Sequence, residues 1–117
     1  MSTRPSKIVC VGRSYADHAK ELGNAIPDRP VLFIKPPSSL LSLDAGISWN
    51  PAWGSCHYEC ELVLRIDQRL SKATDPAQAL QAVGAVTLGL DLTLRDLQDD
   101  LKTKGQPWER AKACLLY

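Results

Sequence analysis

The chain has 117 residues, which is long enough for one domain of ordinary size and too short for two. Its formal net charge is +1 and lysine and arginine form no run, which argues against a dedicated nucleic-acid or membrane-surface protein. The polar residues 1–5 lack the apolar core of a signal peptide, and no apolar run approaches the length of a membrane span. We therefore expect a cytoplasmic protein with no nucleic-acid or membrane partner.

A strand and a helix are predicted near the start of the chain. Residues 7–11 are rich in β-branched side chains and stop at Gly12, which is typical of a short strand. In the helix that follows, Ser14 is placed to be the N-cap and Gly23 to end it after Leu22.

His18 and Glu21 are the first candidates for chemistry. They are three residues apart on the predicted helix and therefore share one face. A carboxylate beside an imidazole fixes the tautomer and raises its basicity, as a general base that activates water requires. The alternative is an ordinary surface pair, and the local sequence alone favours it.

Residues 31–34 are apolar throughout and predict a buried strand. The stretch that follows, residues 38–55, has a weak pattern and predicts short irregular strands and loops. Its two tryptophans, Trp49 and Trp53, are expected to be core or lid aromatics.

Glu59 and Glu61 lie on a predicted strand and, because strand side chains alternate, point to the same side. Two carboxylates this close repel each other unless a cation lies between them or one is protonated. Oxygen donors suit Mg²⁺, Mn²⁺ or Ca²⁺. The alternative is a solvated strand face. Leu62, Leu64 and Ile66 occupy the opposite face, which is expected to pack.

Asp91 is a third carboxylate on a predicted strand. A helix is predicted before this strand, with Asp75 as its N-cap and Pro76 at its first position. Residues 87–94 then alternate, with leucines on one face and Asp91 on the other, where Gly89 leaves room for a ligand or another backbone.

A further helix is expected from Arg95, with Thr93 as a plausible cap and residues 105–107 as its end. Arg95 and Gln98 share one helical face. They are either ligands for a substrate carboxylate or an ordinary polar face.

The four cysteines, one of which is Cys114, are expected to be reduced. Cys56, His57 and Cys60 form a possible zinc half-site. A closed structural site needs four ligands, however, and the remaining Cys and His residues are single and scattered. A structural zinc module is therefore a distant alternative.

Taken together, these motifs resemble the fumarylacetoacetate hydrolase family, in particular its small acylpyruvate hydrolase and oxaloacetate decarboxylase-like members. The matching text covers most of residues 7–113, and as a set it is specific. It consists of GRSYADHAKELG (12–23), FIKPPSS (33–39), HYECEL (57–62), DLTLRDLQ (91–98) and KGQPWERAK (104–112).

The resemblance implies an α+β, β-rich fold that is part of a mixed β-roll with short peripheral helices, in a single domain spanning residues 1–117. It implies a divalent-metal-dependent hydrolase or decarboxylase of acylpyruvates or related β-diketo and α-keto acids that cleaves a carbon–carbon bond. An isomerase of hydroxymuconate-type diacids is an alternative, and a homodimer is expected. The cofactor would be Mg²⁺ or Mn²⁺, with Ca²⁺ also possible.

The resemblance also implies a role for each matching residue. The metal ligands would be Glu59, Glu61 and Asp91. His18 and Glu21 would be a water-activating pair on a mobile lid, and Lys112 would stabilise oxyanion charge. Arg95 and Gln98 would orient the small keto-acid substrate.

The sequence departs from the family pattern in two places. Ser14 stands where the family usually has Asn. The family's text continues well beyond the segment around Lys112, so the resemblance covers only about the first half of the fold. A truncated or frameshifted product and a deliberately shortened chain are both explanations. We expect the chain to be marginally stable or to need a complement, and a fragment without a complete pocket is the alternative function.

Overall fold

The computed structural model describes residues 4–72 and 75–113, which form four strands, four α-helices and three short 3₁₀ turns. The strands are β1 (Ile8–Gly12), β2 (Val31–Lys35), β3 (Cys56–Ile66) and β4 (Val83–Leu94). The helices are α1 (Ala16–Glu21), α2 (Pro76–Gln81), α3 (Arg95–Thr103) and α4 (Glu109–Lys112). This β-rich mixture of sheets and short helices agrees with the predicted α+β class.

β1 and β2 form one antiparallel sheet in which Val9 pairs with Ile34 and Val11 with Leu32. The strand predicted over residues 31–34 is present, but its predicted burial is wrong. All four of these paired side chains are exposed. The apolar sequence is enough to predict a strand. Burial requires a further element that packs on this face, and the described residues contain no such element.

Helix α1 ends as predicted but does not begin as predicted. Gly23 has a positive φ of 68°, its N–H donates to the carbonyl of Lys20, and the N–H of Asn24 donates to the carbonyl of Ala19. This is the paired bonding that a glycine after a helix commonly makes. Ser14 is not the N-cap, because Tyr15 holds that position without a side-chain bond and the Ser14 hydroxyl donates to the carbonyl of Val11.

Residues 36–55 are irregular and contain the three 3₁₀ turns Pro37–Ser39, Leu43–Ala45 and Pro51–Trp53. The loops expected over residues 38–55 are present, but the short strands expected there are not. Asn50 caps the third turn by accepting from the N–H of Ala52 at 2.9 Å. Trp49 and Trp53 are exposed, so neither is a core residue of the described chain.

β3 and β4 form the second sheet. The N–H of Asp67 donates to Ala82 at one end, and the N–H of Arg95 donates to Ser55 at the other, so the strands run antiparallel. The face expected to pack does not: Leu62, Leu64 and Ile66 are all exposed.

Helices α2 and α3 lie largely where the sequence predicts them. Asp75 caps α2 by accepting from the N–H of Ala77 at 2.9 Å, with Pro76 at the first helical position. Gly105 ends α3 with a φ of 63°. Thr93 is not the cap of α3, since Leu94 holds that position without a side-chain bond.

The chain divides into two compact units. The first comprises Met1–His57 with Thr93–Tyr117, and the second comprises Tyr58–Leu92. The single domain over residues 1–117 stays a prediction. Within the described part of the chain, no helix has the length and apolar character needed to cross a membrane.

We predict that Gly105→Ala lowers the free energy of unfolding by about 1–2 kcal/mol, because a Cβ is disfavoured in the left-handed conformation. Apart from its immediate chain neighbours, no atom lies within 4 Å of the added Cβ, so the loss would report backbone conformation. Denaturant unfolding measures it. Gly105→Asn is the matched control and should lose less, since asparagine tolerates this conformation. Equal stability of Gly105→Ala and the parent chain would contradict the prediction.

Candidate metal centre

Three carboxylates from the second sheet converge on one point. Glu59 and Glu61 alternate with Cys60 along β3 and therefore share a face, and Asp91 comes from the paired strand β4. One oxygen from each of the three lies within 4.8 Å of the others. Asp91 is only 9% exposed, and the two glutamates are half-buried. All three belong to the second compact unit.

This donor set fits a hard divalent cation. It offers oxygen atoms only, it carries up to three negative charges, and its spacing allows the three groups to reach one ion. In residues 4–72 and 75–113, no other three His, Cys, Asp or Glu side chains are grouped in this way. Cys56, His57 and Cys60 do not form such a group, and the zinc hypothesis therefore gains no support. Cys114 lies outside the described residues.

The space beside Asp91 at Gly89 is filled by a neighbouring side chain. A Cβ built on Gly89 would lie 2.9 Å from Cγ2 of Val63, on the adjacent strand. The prediction of room for a ligand or another backbone is therefore wrong at this position. The contact also shows that Gly89 and Val63 share the face on which Glu61 lies.

Lys112 is held inside the first unit by a hydroxyl and an aromatic ring. It is 3% exposed, and its Nζ donates to Oγ1 of Thr93 at 2.7 Å. The same Nζ lies 5.2 Å from the ring centre of Phe33, within the range of a cation–π interaction. Thr93 was expected to be a helix cap, but its place on the polar side of the alternating strand was the available signal for this contact.

A second lysine is stacked on the neighbouring aromatic ring. Nζ of Lys102 lies 5.4 Å from the ring centre of Trp108, and this ring contacts Phe33 at 5.8 Å between centroids. Burial lowers the pKa of Lys102; the nearby cations, among them Arg95, lower it further, while Asp99 raises it. No sequence motif points to Lys102, because only the fold brings α3 against Trp108.

The other residues singled out in the sequence form two pairs in the first unit. Nη1 of Arg95 donates to Oε1 of Gln98 at 2.6 Å, and Gln98 is 3% exposed. Nδ1 of His18 lies 3.6 Å from Oε2 of Glu21, and these side chains are 44% and 75% exposed. Both pairs follow from their three-residue spacing on a helix.

Residues 7–116 match the family model described as fumarylacetoacetate (FAA) hydrolase C-terminal. The chain belongs to the fumarylacetoacetate hydrolase family. Its predicted fold class is confirmed by the solved structures of this family that superpose on it.

Curated relatives share much of the sequence. The chain is 47% identical over 108 residues to oxaloacetate tautomerase YcgM of Escherichia coli, covering 92% of this chain and 49% of the relative. It is 42% identical over 106 residues to the mitochondrial oxaloacetate tautomerase FAHD1 of Homo sapiens, covering 91% of this chain and 48% of the relative. The chain thus spans about half the length of these relatives.

A solved structure is likewise matched over about half of its length. The chain superposes with a TM-score of 0.82 and 35% identity on fumarylpyruvate hydrolase from Pseudomonas aeruginosa, whose crystal structure contains Mn²⁺ and pyruvate. The match covers 92% of this chain and 48% of that one.

We predict that Thr93→Val destabilises the protein by roughly 1–3 kcal/mol, because a buried ammonium then loses a hydrogen-bond acceptor. Thermal or denaturant unfolding measures the change. Thr87→Val is the matched control, because Thr87 is an exposed residue of the same strand and valine favours strands. Thr93→Ser, which keeps the hydroxyl, should retain most of the stability. A loss at Thr87 as large as that at Thr93 would count against this role of the hydroxyl.

Proposed function

We propose that the chain supplies the metal-binding half of a divalent-metal-dependent enzyme that acts on enolisable α-keto acids, such as acylpyruvates and oxaloacetate. The convergence of Glu59, Glu61 and Asp91 within 4.8 Å is the observation that carries this proposal. The activities for which the relatives are named support it, since one is an oxaloacetate tautomerase and another is a fumarylpyruvate hydrolase whose crystal structure contains Mn²⁺ and pyruvate.

Each carboxylate of the cluster is assigned one ligand position, with Mg²⁺ or Mn²⁺ as the proposed ion and Ca²⁺ as a further possibility. A cation held there would act as a Lewis acid toward the keto and carboxylate oxygens of the substrate. Asp91 supplies a ligand that burial holds in place, whereas Glu59 and Glu61 retain access to solvent on their strand.

The polar residues of the first unit are assigned to proton transfer and to stabilisation of negative charge on the substrate. His18 would accept a proton from water or from the carbon beside the keto group, and Glu21 would hold the imidazole in the required tautomer. Lys112 would balance negative charge that develops on the substrate oxygens. Arg95 and Gln98 would hold a substrate carboxylate through their guanidinium and amide N–H groups.

Two reactions fit these roles. Carbon–carbon bond cleavage, by hydrolysis or decarboxylation, is the reaction implied by the sequence motifs. Keto–enol tautomerisation is the second candidate, favoured by the 47% and 42% identity to relatives named oxaloacetate tautomerases, against 35% to the hydrolase. Homodimer formation and a cytoplasmic location stay predictions.

Metal binding tests the cluster directly. We predict that Glu59→Gln, Glu61→Gln or Asp91→Asn each weakens Mn²⁺ binding by at least about tenfold, since loss of a mere outer-shell partner already costs roughly 10–100-fold. Titration followed by the electron paramagnetic resonance of free Mn²⁺ measures the affinity.

Asp67→Asn is the control for this titration. Asp67 also lies in the second unit, but Arg65 donates to it at 2.7 and 2.8 Å and holds the pKa of its carboxyl below the usual value. Its loss should leave Mn²⁺ affinity unchanged. Unchanged affinity in all three cluster variants would overturn the proposed ligand set.

Turnover tests the proposed base. With Mn²⁺ bound, His18→Gln should lower turnover by roughly 10²–10⁴-fold without changing metal affinity, because the proton acceptor is lost. Oxaloacetate tautomerisation is followed by enol absorbance, and acetylpyruvate hydrolysis by loss of substrate. Lys20→Gln, at an exposed residue of the same helix, is the matched control. A folded, metal-loaded chain that turns over neither substrate would favour the fragment without a complete pocket.

A further inference from the structure

One face of helix α3 carries three side chains that donate hydrogen bonds. Arg95, Gln98 and Lys102 are separated by three and four residues, so they lie on the same side of the helix. Gln98 is 3% exposed, whereas Arg95 and Lys102 are half-buried. All three belong to the first compact unit. Lys102 is the one member of this row that has no role in the proposed reaction.

The side-chain amide of Gln98 is oriented by Arg95. Its Oε1 accepts from Nη1 of Arg95 at 2.6 Å, and arginine has no acceptor atom, so the amide N–H groups must point elsewhere. Within residues 4–72 and 75–113, this bond is the one hydrogen bond that the Gln98 side chain makes. A buried amide in this state needs an acceptor from outside the protein, which is a ligand oxygen or a water molecule.

Lys102 is held in place by an aromatic pair. Its Nζ lies 5.4 Å from the ring centre of Trp108, and that ring packs on Phe33 with 5.8 Å between centroids. Nζ of Lys112 lies 5.2 Å from the centre of the Phe33 ring. The same two rings thus hold two ammonium groups through cation–π contacts. A cation that is oriented before its ligand arrives loses less entropy on binding.

The charges that act on Lys102 are mainly positive. Burial lowers the pKa of Lys102, and although Asp99 raises it, Arg95, Arg13 and Lys112 lower it again. Asp99 is a weak partner, because its Oδ1 is 3.9 Å from Nζ of Lys102 and its side chain is 65% exposed. An anion bound beside Lys102 would therefore reduce the repulsion among these cations.

We propose that Lys102 binds the second carboxylate of a keto diacid and thereby determines a preference for diacids over mono-acids. Arg95 and Gln98 hold the first carboxylate, and Lys102 lies further along the same face, with its Cα about 10 Å from that of Arg95. The long side chains of both residues can reach the two ends of a short diacid. The identity of the substrate rests on the proposed function, whereas binding of a diacid is measured without metal or turnover.

Fluorescence of Trp108 tests the binding directly. Trp49 and Trp53 are exposed and are replaced by phenylalanine, which leaves Trp108 as the only tryptophan. The protein is freed of metal on a chelating resin and titrated with succinate, an unreactive diacid. A saturable change is expected as Lys102 moves from the ring to the carboxylate. Butyrate, the mono-acid of the same length, should bind about tenfold more weakly, because it lacks one charged hydrogen-bond partner.

Variants of Lys102 assign the effect to its charge. Calorimetric titration should show that Lys102→Met weakens succinate binding by about tenfold and butyrate binding by less than about twofold. Lys102→Arg keeps the positive charge and should retain most of the succinate affinity. Lys104→Met is the matched control, since Lys104 is an exposed lysine that pairs with Asp100 at 2.8 Å; it should bind both acids as the parent chain does.

Kinetics with Mn²⁺ bound separate this role from a structural one. Lys102→Met should raise the KM for oxaloacetate by about tenfold while kcat and the KM for acetylpyruvate stay within about twofold. Equal binding of succinate and butyrate by the parent chain would overturn the inference, as would equal weakening of both by Lys102→Met or an unchanged KM for oxaloacetate. Succinate binding through Lys102 in a metal-loaded chain that turns over neither substrate would support the site and overturn the proposed function.

Discussion

Repulsion among three carboxylates is the constraint on which the second sheet depends. Glu59, Glu61 and Asp91 each present an oxygen within 4.8 Å of the others, and Asp91 is nearly buried. Like charges at this distance repel one another, and a cation or a proton bound between them would reduce that repulsion. The sheet that forms the site is therefore also the part of the chain that a bound cation would stabilise most.

The apolar side of the same two strands sets the complementary constraint. Because strand side chains alternate, the sequence that supplies Glu59 and Glu61 must place Leu62 and Leu64 on the other side. The carboxylate side of the two strands thus favours a compensating cation or proton, whereas the other side is apolar and exposed. Both sides share the same two backbones, so a shift of either strand moves the carboxylates and the leucines together.

Local features were the predictable part of the fold. The sequence predicts the cap at Asp75 and the helix ends at Gly23 and Gly105 correctly, because these depend on the residue and its immediate backbone. The caps predicted at Ser14 and Thr93 are wrong, since Tyr15 and Leu94 hold those positions. Burial was not predictable for Leu32 or Leu64, since it depends on elements that lie elsewhere. The convergence of Glu59, Glu61 and Asp91 followed from strand alternation together with the family motifs. Thr93 was missed as the acceptor of Lys112 because that contact joins residues 19 positions apart.

The residues assigned to chemistry differ in how firmly the fold holds them. Lys112 and Gln98 are buried, and each makes a short side-chain hydrogen bond, to Thr93 and from Arg95 respectively. His18 and Glu21 lie on a six-residue helix, are well exposed, and stand 3.6 Å apart, which is longer than a strong hydrogen bond. Catalytic hydrogen bonds are often long before substrate binds and shorten in the complex. Within the first unit, Lys112 and Gln98 are therefore held by their surroundings, whereas the His18–Glu21 pair is held only by its short helix.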